Sequence, residues 1–113
     1  MLARKYRLSK KDFETAFNTK GKYLKSDFLS FKIVKNSLKL SRFGISCGTK
    51  ISKKATVRNR IKRRISESIR LKLDKINPGY DILVMASPQI KERDYQEIDK
   101  AILILLNQAN LIS

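Results

Sequence analysis

The chain has 113 residues, of which 42% are hydrophobic, and its 26 lysine and arginine residues outnumber ten acidic residues to give a formal net charge of +16. This length predicts one domain, residues 1–113, and the hydrophobic content excludes a disordered tail. The chain contains no histidine, which removes the commonest general base and zinc ligand. Because so much positive charge repels itself, composition alone favours a protein that binds a polyanion.

The positive charge is concentrated before residue 76. Residues 50–75 hold eleven basic and two acidic residues, whereas residues 76–113 hold three basic and five acidic residues. We therefore expect a polyanion to meet the first two thirds of the chain, with the last third serving as scaffold or a solvated flank.

Hydrophobic runs and cysteine content favour a cytoplasmic protein without a membrane partner. The longest apolar run, Ala101–Leu106, has six residues and is too short to cross a bilayer, and no secretory signal is recognisable. Cys47, the single cysteine, cannot form an internal disulfide and suits a reducing cytosol. Its apolar neighbours predict a small buried side chain rather than a reactive thiol.

The first predicted element is a short helix over residues 10–19. Ser9 and Asp12 resemble a capping box, in which a side chain before the helix accepts a hydrogen bond from an amide of the first turn. Gly21 favours a helix end before it. The apolar residues inside this segment have helical spacing and are Phe13, Ala16 and Phe17.

Strands are predicted next. Residues 28–35 and 42–47 are rich in β-prone side chains, and a further short strand is expected near Tyr23. Asn36 and Ser37 begin a short connection between the two longer strands. Since short connections commonly join adjacent strands, we expect these two to be antiparallel neighbours.

The second half of the chain predicts a helix, a strand and a helix. The helix over residues 53–75 ends at the turn sequence 77–79, Asn-Pro-Gly, and the apolar run 80–86 is typical of a central strand covered on both faces. A last helix is predicted over residues 93–110. The fold class is α/β of the α+β type, with helices packed on a single sheet of about four strands in the order α-β-β-β-α-β-α. The buried stripe of the first of these helices consists of Val57, Ile61, Ile65, Ile69 and Leu73.

Residues 53–64 are the most informative segment, because they add basic and amide side chains to the buried stripe. Helical geometry places one set of arginines away from the stripe and Arg58 and Lys62 at its edge, beside the sheet. No acidic residue lies between positions 50 and 64, whereas a solvated helix face normally mixes charges of both signs. Arginine presents a planar fork that matches phosphate oxygens. The candidate RNA-binding residues are Lys50, Lys53, Lys54, Arg58, Asn59, Arg60, Lys62, Arg63 and Arg64.

Aromatic residues indicate which form of nucleic acid is bound. Phe13, Phe17 and Tyr23 lie among basic residues, and Phe31 alternates with Lys32 on a predicted strand. Aromatic rings beside basic groups are the usual platform for unstacked nucleotides. The same phenylalanines could instead belong to the core, and the residues alone leave both interpretations open.

Catalytic and metal-binding patterns are missing from the sequence. It has no cysteine pair, no phosphate-binding loop and no glycine-rich dinucleotide motif. Its ten acidic residues do not cluster around the basic segment, although a self-sufficient nuclease needs an acidic metal site or a general base. The residues therefore favour an RNA-binding subunit with no catalytic residue and no metal or cofactor bound by the protein itself.

Several stretches, in order along the chain, form a recognisable family pattern. They are Arg7-Leu8, Asp12-Phe13 with Phe17, Phe28 with Phe31, Arg42-Phe43-Gly44-Ile45-Ser46, Ala55 with Val57-Arg58-Asn59-Arg60-Ile61-Lys62-Arg63, and Tyr80-Asp81-Ile82-Leu83-Val84-Met85-Ala86. On these stretches the chain resembles the protein subunit of bacterial ribonuclease P over nearly its whole length. The run Arg-Asn-Arg-Ile-Lys-Arg is the most specific of them.

The resemblance implies a ribosomal-protein-like fold with a left-handed β-α-β crossover. It also implies that a catalytic RNA, which needs Mg²⁺, removes the 5′ leader of precursor tRNA while the protein alone is not catalytic. The expected partners are the ribonuclease P RNA and precursor tRNA, without an obligate protein partner. The candidate RNA-binding residues would contact the catalytic RNA, and Phe13, Phe17 and Phe31 would line a cleft for the single-stranded leader.

Three other functions remain open at this point. A ribosomal or other structural RNA-binding protein would bind ribosomal RNA without affecting tRNA 5′ processing. A stand-alone metal-dependent nuclease would cleave RNA without an added RNA subunit. A DNA-binding module would be retained on duplex DNA at moderate salt.

Overall fold

A computed structural model describes residues 2–112 of the chain. Within them, three α-helices and four β-strands follow the predicted order. They are α1 (Lys10–Phe17), β1 (Lys22–Lys25), β2 (Leu29–Lys35), β3 (Arg42–Ser46), α2 (Ala55–Arg70), β4 (Tyr80–Ala86) and α3 (Tyr95–Gln108). No helix in this described part of the chain is long and apolar enough to cross a membrane.

The helix ends differ from the sequence predictions by a few residues. Ser9 caps α1 as predicted, since its Oγ accepts a hydrogen bond from the Asp12 amide at 3.0 Å. The helix predicted over residues 53–75 is shorter at both ends. Lys54 has extended backbone dihedrals, Lys72 leaves the helical region, and a separate 3-10 turn follows.

The four strands form one sheet in the order β1-β2-β4-β3. Because β4 lies between β2 and β3, the expectation that these two strands are neighbours is wrong. They do run antiparallel to each other, since β4 pairs antiparallel with β2 and parallel with β3. The connection between β2 and β3 crosses the start of β4, where the Asn36 amide donates to the Gly79 carbonyl at 3.0 Å. β4 is the most apolar strand, and its inner position pairs both of its edges and fully buries residues 82–84. The left-handed crossover expected for the β3-α2-β4 unit stays a prediction.

The core lies between the sheet and the pair α2 and α3, whereas α1 lies on the opposite face. The strand β2 contributes alternate residues to this core, namely Leu29, Phe31 and Ile33. The predicted stripe is confirmed at Ile61, Ile65 and Ile69, which are buried on α2. Val57 is partly buried, and Leu73 is partly buried in the 3-10 turn that follows the helix. Cys47 belongs to the same core, as its apolar neighbours predicted, and burial raises the pKa of its thiol.

A charged network attaches α1 to its face of the sheet. Arg42 on β3 makes a two-pronged ion pair with Asp81 on β4, with Nε–Oδ1 and Nη2–Oδ2 distances of 3.0 and 2.9 Å. The same guanidinium reaches Asp12 in the first turn of α1 at 3.1 Å. The hydrogen bond to Asp81 raises the pKa of Arg42 although burial opposes it. One side chain therefore joins β3 and β4 to the helix that covers them.

A second charged cluster joins α2 to α3 and predicts a loss of stability in acid. Ser68 Oγ donates to Asp99 Oδ1 at 2.6 Å, and Lys72 also bonds to Asp99. Burial raises the pKa of Asp99, but the hydrogen bonds from Lys72 and Ser68 outweigh it and lower that pKa. A lowered pKa in the fold contributes stability above the unfolded pKa, and this contribution is lost as the pH falls through the folded pKa. We expect the urea concentration at the midpoint of unfolding to decrease when the pH is lowered below about 4. In Asp99→Asn this decrease should be smaller.

The exposed Glu92 in the turn before α3 offers a matched control for this prediction. Glu92→Gln removes the same titrating group without touching the Ser68–Lys72–Asp99 cluster, so its acid sensitivity should equal that of the parent protein. If Asp99→Asn and the parent protein lose stability in parallel between neutral and acidic pH, the cluster does not control acid sensitivity.

Candidate nucleic-acid interface

The outer side of α2 is a continuous basic surface, which we call the α2 basic face. Within residues 2–112, none of its bases forms an ion pair with a carboxylate. The protein therefore leaves this positive charge uncompensated. The members are exposed or half-exposed. They comprise Lys50, Lys53 and Lys54 before the helix and Arg58, Asn59, Arg60, Lys62, Arg63 and Arg64 on it.

Two members of the α2 basic face are oriented by hydrogen bonds within the protein, and a third lines a cleft. Arg58 Nη1 donates to the Ser52 carbonyl at 2.8 Å, and Arg64 Nη1 donates to the Arg93 carbonyl at 2.9 Å. Lys62 lines a cleft of about 200 Å³ between α2, β3 and the N-terminal segment, in agreement with its predicted place at the edge of the stripe. Each tethered guanidinium keeps further N–H groups for an anion, so these contacts orient the face without neutralising it.

A second surface lies where α1 covers the sheet. We call it the α1 cleft and define it by Phe13, Phe17, Tyr23 and Lys32. Phe13 is half-buried and packs against Gly44 of β3. Phe17, the last residue of α1, is 48% exposed. The helix thus presents one ring to the sheet and one to solvent, at the same side of the molecule.

Lys32 lies between two exposed rings of the α1 cleft. The residue is only 4% exposed, and its Nζ donates to the Phe17 carbonyl at 2.5 Å. Nζ is 5.7 Å from the ring centre of Phe17 and 5.2 Å from that of Tyr23, distances at which a cation is attracted to an aromatic face. Because the C-terminal end of a helix carries partial negative charge, its last carbonyls are favourable partners for an ammonium. Lys32 therefore fixes the end of α1 to the sheet.

Phe31 does not belong to the α1 cleft. It is 1% exposed and lies in the core between the sheet and α2–α3. The expectation that it lines one cleft with Phe13 and Phe17 is therefore wrong, because successive side chains of a strand point to opposite faces of the sheet. Lys32, its neighbour, faces α1 instead. Residues 29–33 alternate between apolar and polar side chains. This alternation could have predicted that Phe31 faces the core and that Lys32 faces the other side of the sheet.

Gly44 allows the close approach of α1 to the sheet, and replacing it should disturb the α1 cleft. A Cβ at this position would lie 2.4 Å from Phe13 Cδ2 and 3.1 Å from Leu8 Cδ1. Because the ring and the helix that carries it must move, we expect Gly44→Ala to destabilise the protein by about 1–3 kcal/mol in urea unfolding. Gly48→Ala is the control, since no atom lies within 4 Å of the added carbon. Equal midpoints for the two variants would refute this packing role.

Acidic side chains do not form a metal site near either surface. No group of three or more cysteine and acidic residues within residues 2–112 could hold a metal ion. Asp12, which directly precedes Phe13 of the α1 cleft, is engaged with Arg42. Both surfaces offer cationic and aromatic groups suited to binding.

Comparison with known proteins identifies relatives that share this fold. Residues 2–110 match the family model described as Ribonuclease P. The ribonuclease P protein component of Clostridium botulinum (strain Loch Maree / Type A3) is 37% identical over 102 residues, which cover 89% of this chain and 90% of that protein. The RNase P protein of Staphylococcus aureus has a TM-score of 0.85 at 26% identity, and the match covers 96% of this chain and 98% of that protein. The RNase P protein of Thermotoga maritima has a TM-score of 0.81 at 31% identity, and the match covers 90% of this chain and 96% of that protein.

Proposed function

Since the chain belongs to the bacterial ribonuclease P protein family and is a subunit of that tRNA-processing endoribonuclease, we propose that its two surfaces divide the contacts with RNA between them. The α2 basic face binds the catalytic RNA, and the α1 cleft binds the single-stranded 5′ leader of precursor tRNA. Residues 1–113 act as one RNA-binding domain, and the RNA performs the cleavage. The observation that carries this proposal is the uncompensated charge of the α2 basic face.

The α2 basic face stabilises the complex by offsetting repulsion between two polyanions, the catalytic RNA and the precursor. Bases that bind phosphates release counterions, which favours association and makes it sensitive to salt. The buried stripe of Ile61, Ile65 and Ile69 holds the helix in place, so the charged groups keep a fixed spacing. Such preorganisation lowers the entropy lost when the RNA binds.

The α1 cleft suits unpaired nucleotides rather than a duplex. Phe17 offers an exposed ring at the end of α1, and bases of a single strand stack on such rings regardless of their sequence. Mature tRNA has lost the leader, so a contact made only with the leader distinguishes substrate from product. Binding at this cleft therefore contributes to recognition of the precursor and assists release of the product.

We assign the Mg²⁺ that ribonuclease P requires to the RNA, because the described residues offer no cluster of ligands for it. The protein's part is to hold the two RNA molecules together, with its bases offsetting charge that divalent ions would otherwise have to screen. We place this activity in the cytoplasm, with the ribonuclease P RNA and precursor tRNA as partners.

Reconstitution tests the proposed function. The purified protein is mixed with a bacterial ribonuclease P RNA and a precursor tRNA at low magnesium, and cleavage at the mature 5′ end is followed. We expect the protein to stimulate cleavage by the RNA and to cleave nothing by itself. No stimulation, or cleavage by the protein alone, would contradict the proposal.

A further inference from the structure

We infer that Tyr23 and Phe17 form a two-ring platform on which nucleotides of the leader stack, and that Lys32 is the positioning residue that holds both rings. This inference rests on the proposed leader-binding role of the α1 cleft and extends it to β1. The chemistry recognised is the aromatic face of an unpaired base in a polyanionic single strand.

Tyr23 is placed and exposed as a stacking residue requires. It lies on β1, an edge strand of the sheet, and is 59% exposed. It pairs in register with Lys32, so it points to the face that carries α1. A large exposed ring on an edge strand adds nothing to the core, whereas a ring free on one side is available to a ligand.

Lys32 explains why the two rings share one site. Within residues 2–112 its ammonium has no carboxylate partner, although the residue is buried. A buried charge needs compensation, and here it comes from the Phe17 carbonyl and the two aromatic faces. The rings are therefore held against the ammonium on one side.

The spacing of the platform suits one extended strand. Both ring centres lie within 5.7 Å of the same Nζ atom. They are therefore close enough for nucleotides near one another in the leader sequence to stack on them. Lys25 follows two positions after Tyr23 on β1 and is exposed on the same face. A strand crossing the rings would meet this ammonium next, where a phosphate can bind.

The test uses the reconstituted holoenzyme and measures affinity for precursor and mature tRNA. We expect Tyr23→Ala to weaken precursor binding about 5- to 100-fold and to leave mature tRNA binding unchanged, while Tyr23→Phe keeps the parent affinity. The precursor is then made with an abasic site at each leader position in turn. At the position that stacks on Tyr23, the parent protein and Tyr23→Ala should bind the abasic precursor equally, since the interaction is already absent.

Two further variants separate stacking from a structural role. Because the chain has no tryptophan, Tyr23→Trp introduces a single fluorescent reporter, which precursor tRNA should quench and mature tRNA should not. Lys32→Met keeps an unbranched side chain only one atom shorter and removes the ammonium, so it should lower precursor affinity without changing mature tRNA binding. If Lys32→Met does not fold, the fluorescence of Tyr23→Trp decides whether the leader of precursor tRNA stacks at position 23.

The outcomes distinguish this inference from the proposed function. If Phe17→Ala weakens precursor binding and Tyr23→Ala does not, the two-ring platform is overturned and the α1 cleft stands. If neither variant affects binding, the leader-binding role of the cleft fails as well. A loss for Tyr23→Ala that is the same with every abasic leader as with the intact leader would overturn base stacking and leave only a structural effect.

Discussion

Replacing Arg60 and Arg63 together with alanine should weaken assembly with the catalytic RNA by about 10- to 100-fold and flatten its dependence on salt. Both side chains are exposed and form no hydrogen bond or ion pair within residues 2–112. Alanine is the best helix former, so α2 should persist. If each arginine neutralises one phosphate, the slope of log affinity against log salt should fall by about 2. Binding titrations at several salt concentrations provide both values.

The matched control replaces Lys91 and Lys100 with alanine. Both lysines are exposed, and they lie before and within α3, outside the α2 basic face. This pair removes the same charge from the protein, so it reports the contribution of net charge alone. We expect a small change in affinity and slope. If the two double variants behave alike, the α2 basic face has no special role in assembly.

Phe17→Ala should weaken binding of precursor tRNA to the holoenzyme by about 5- to 100-fold, the range expected for losing one base–aromatic stack. Its exposed ring makes a loss of folding stability small. The contact with Lys32 uses the Phe17 main-chain carbonyl, which alanine retains. Because mature tRNA has no leader, its affinity should not change. Equilibrium binding of the two RNAs to the reconstituted holoenzyme measures the effect.

Leu71→Ala is the control for this variant, since Leu71 is a large exposed apolar side chain just after α2 and away from the α1 cleft. It should bind both RNAs as the parent protein does. If Phe17→Ala loses affinity for precursor and mature tRNA by the same factor, the ring does not act on the leader.

Features that depend on residues close in sequence could be predicted from the sequence. The four-residue repeat of Ile61, Ile65 and Ile69 located α2 and its buried side, because one helix holds all three. The basic residues of 53–64 follow from the same geometry, since burial of the stripe turns the remaining side chains outward. The apolar run of β4 indicated a strand covered on both faces, and the full burial of residues 82–84 confirms this for its centre.

Features that depend on contacts distant in sequence could not be predicted in the same way. The apolar character of β4 did not reveal that it lies between β2 and β3, because strand order is set by which edges pair. The position of Lys32 depends on the Phe17 carbonyl, 15 residues away. The family resemblance placed Phe31 in the cleft, but the side of β2 that carries Phe31 packs into the core. Tyr23 had basic neighbours in the sequence, but its position beside Lys32 depends on the pairing of β1 with β2.

Photocrosslinking in the assembled holoenzyme tests most directly whether the two surfaces divide the RNA contacts. A photoreactive amino acid is placed at position 60 in one protein and at position 17 in another, and each is assembled with the catalytic RNA and precursor tRNA. We expect position 60 to crosslink to the catalytic RNA and position 17 to the 5′ leader. Crosslinking of both positions to the same RNA, or an exchange of the two targets, would contradict the proposed division.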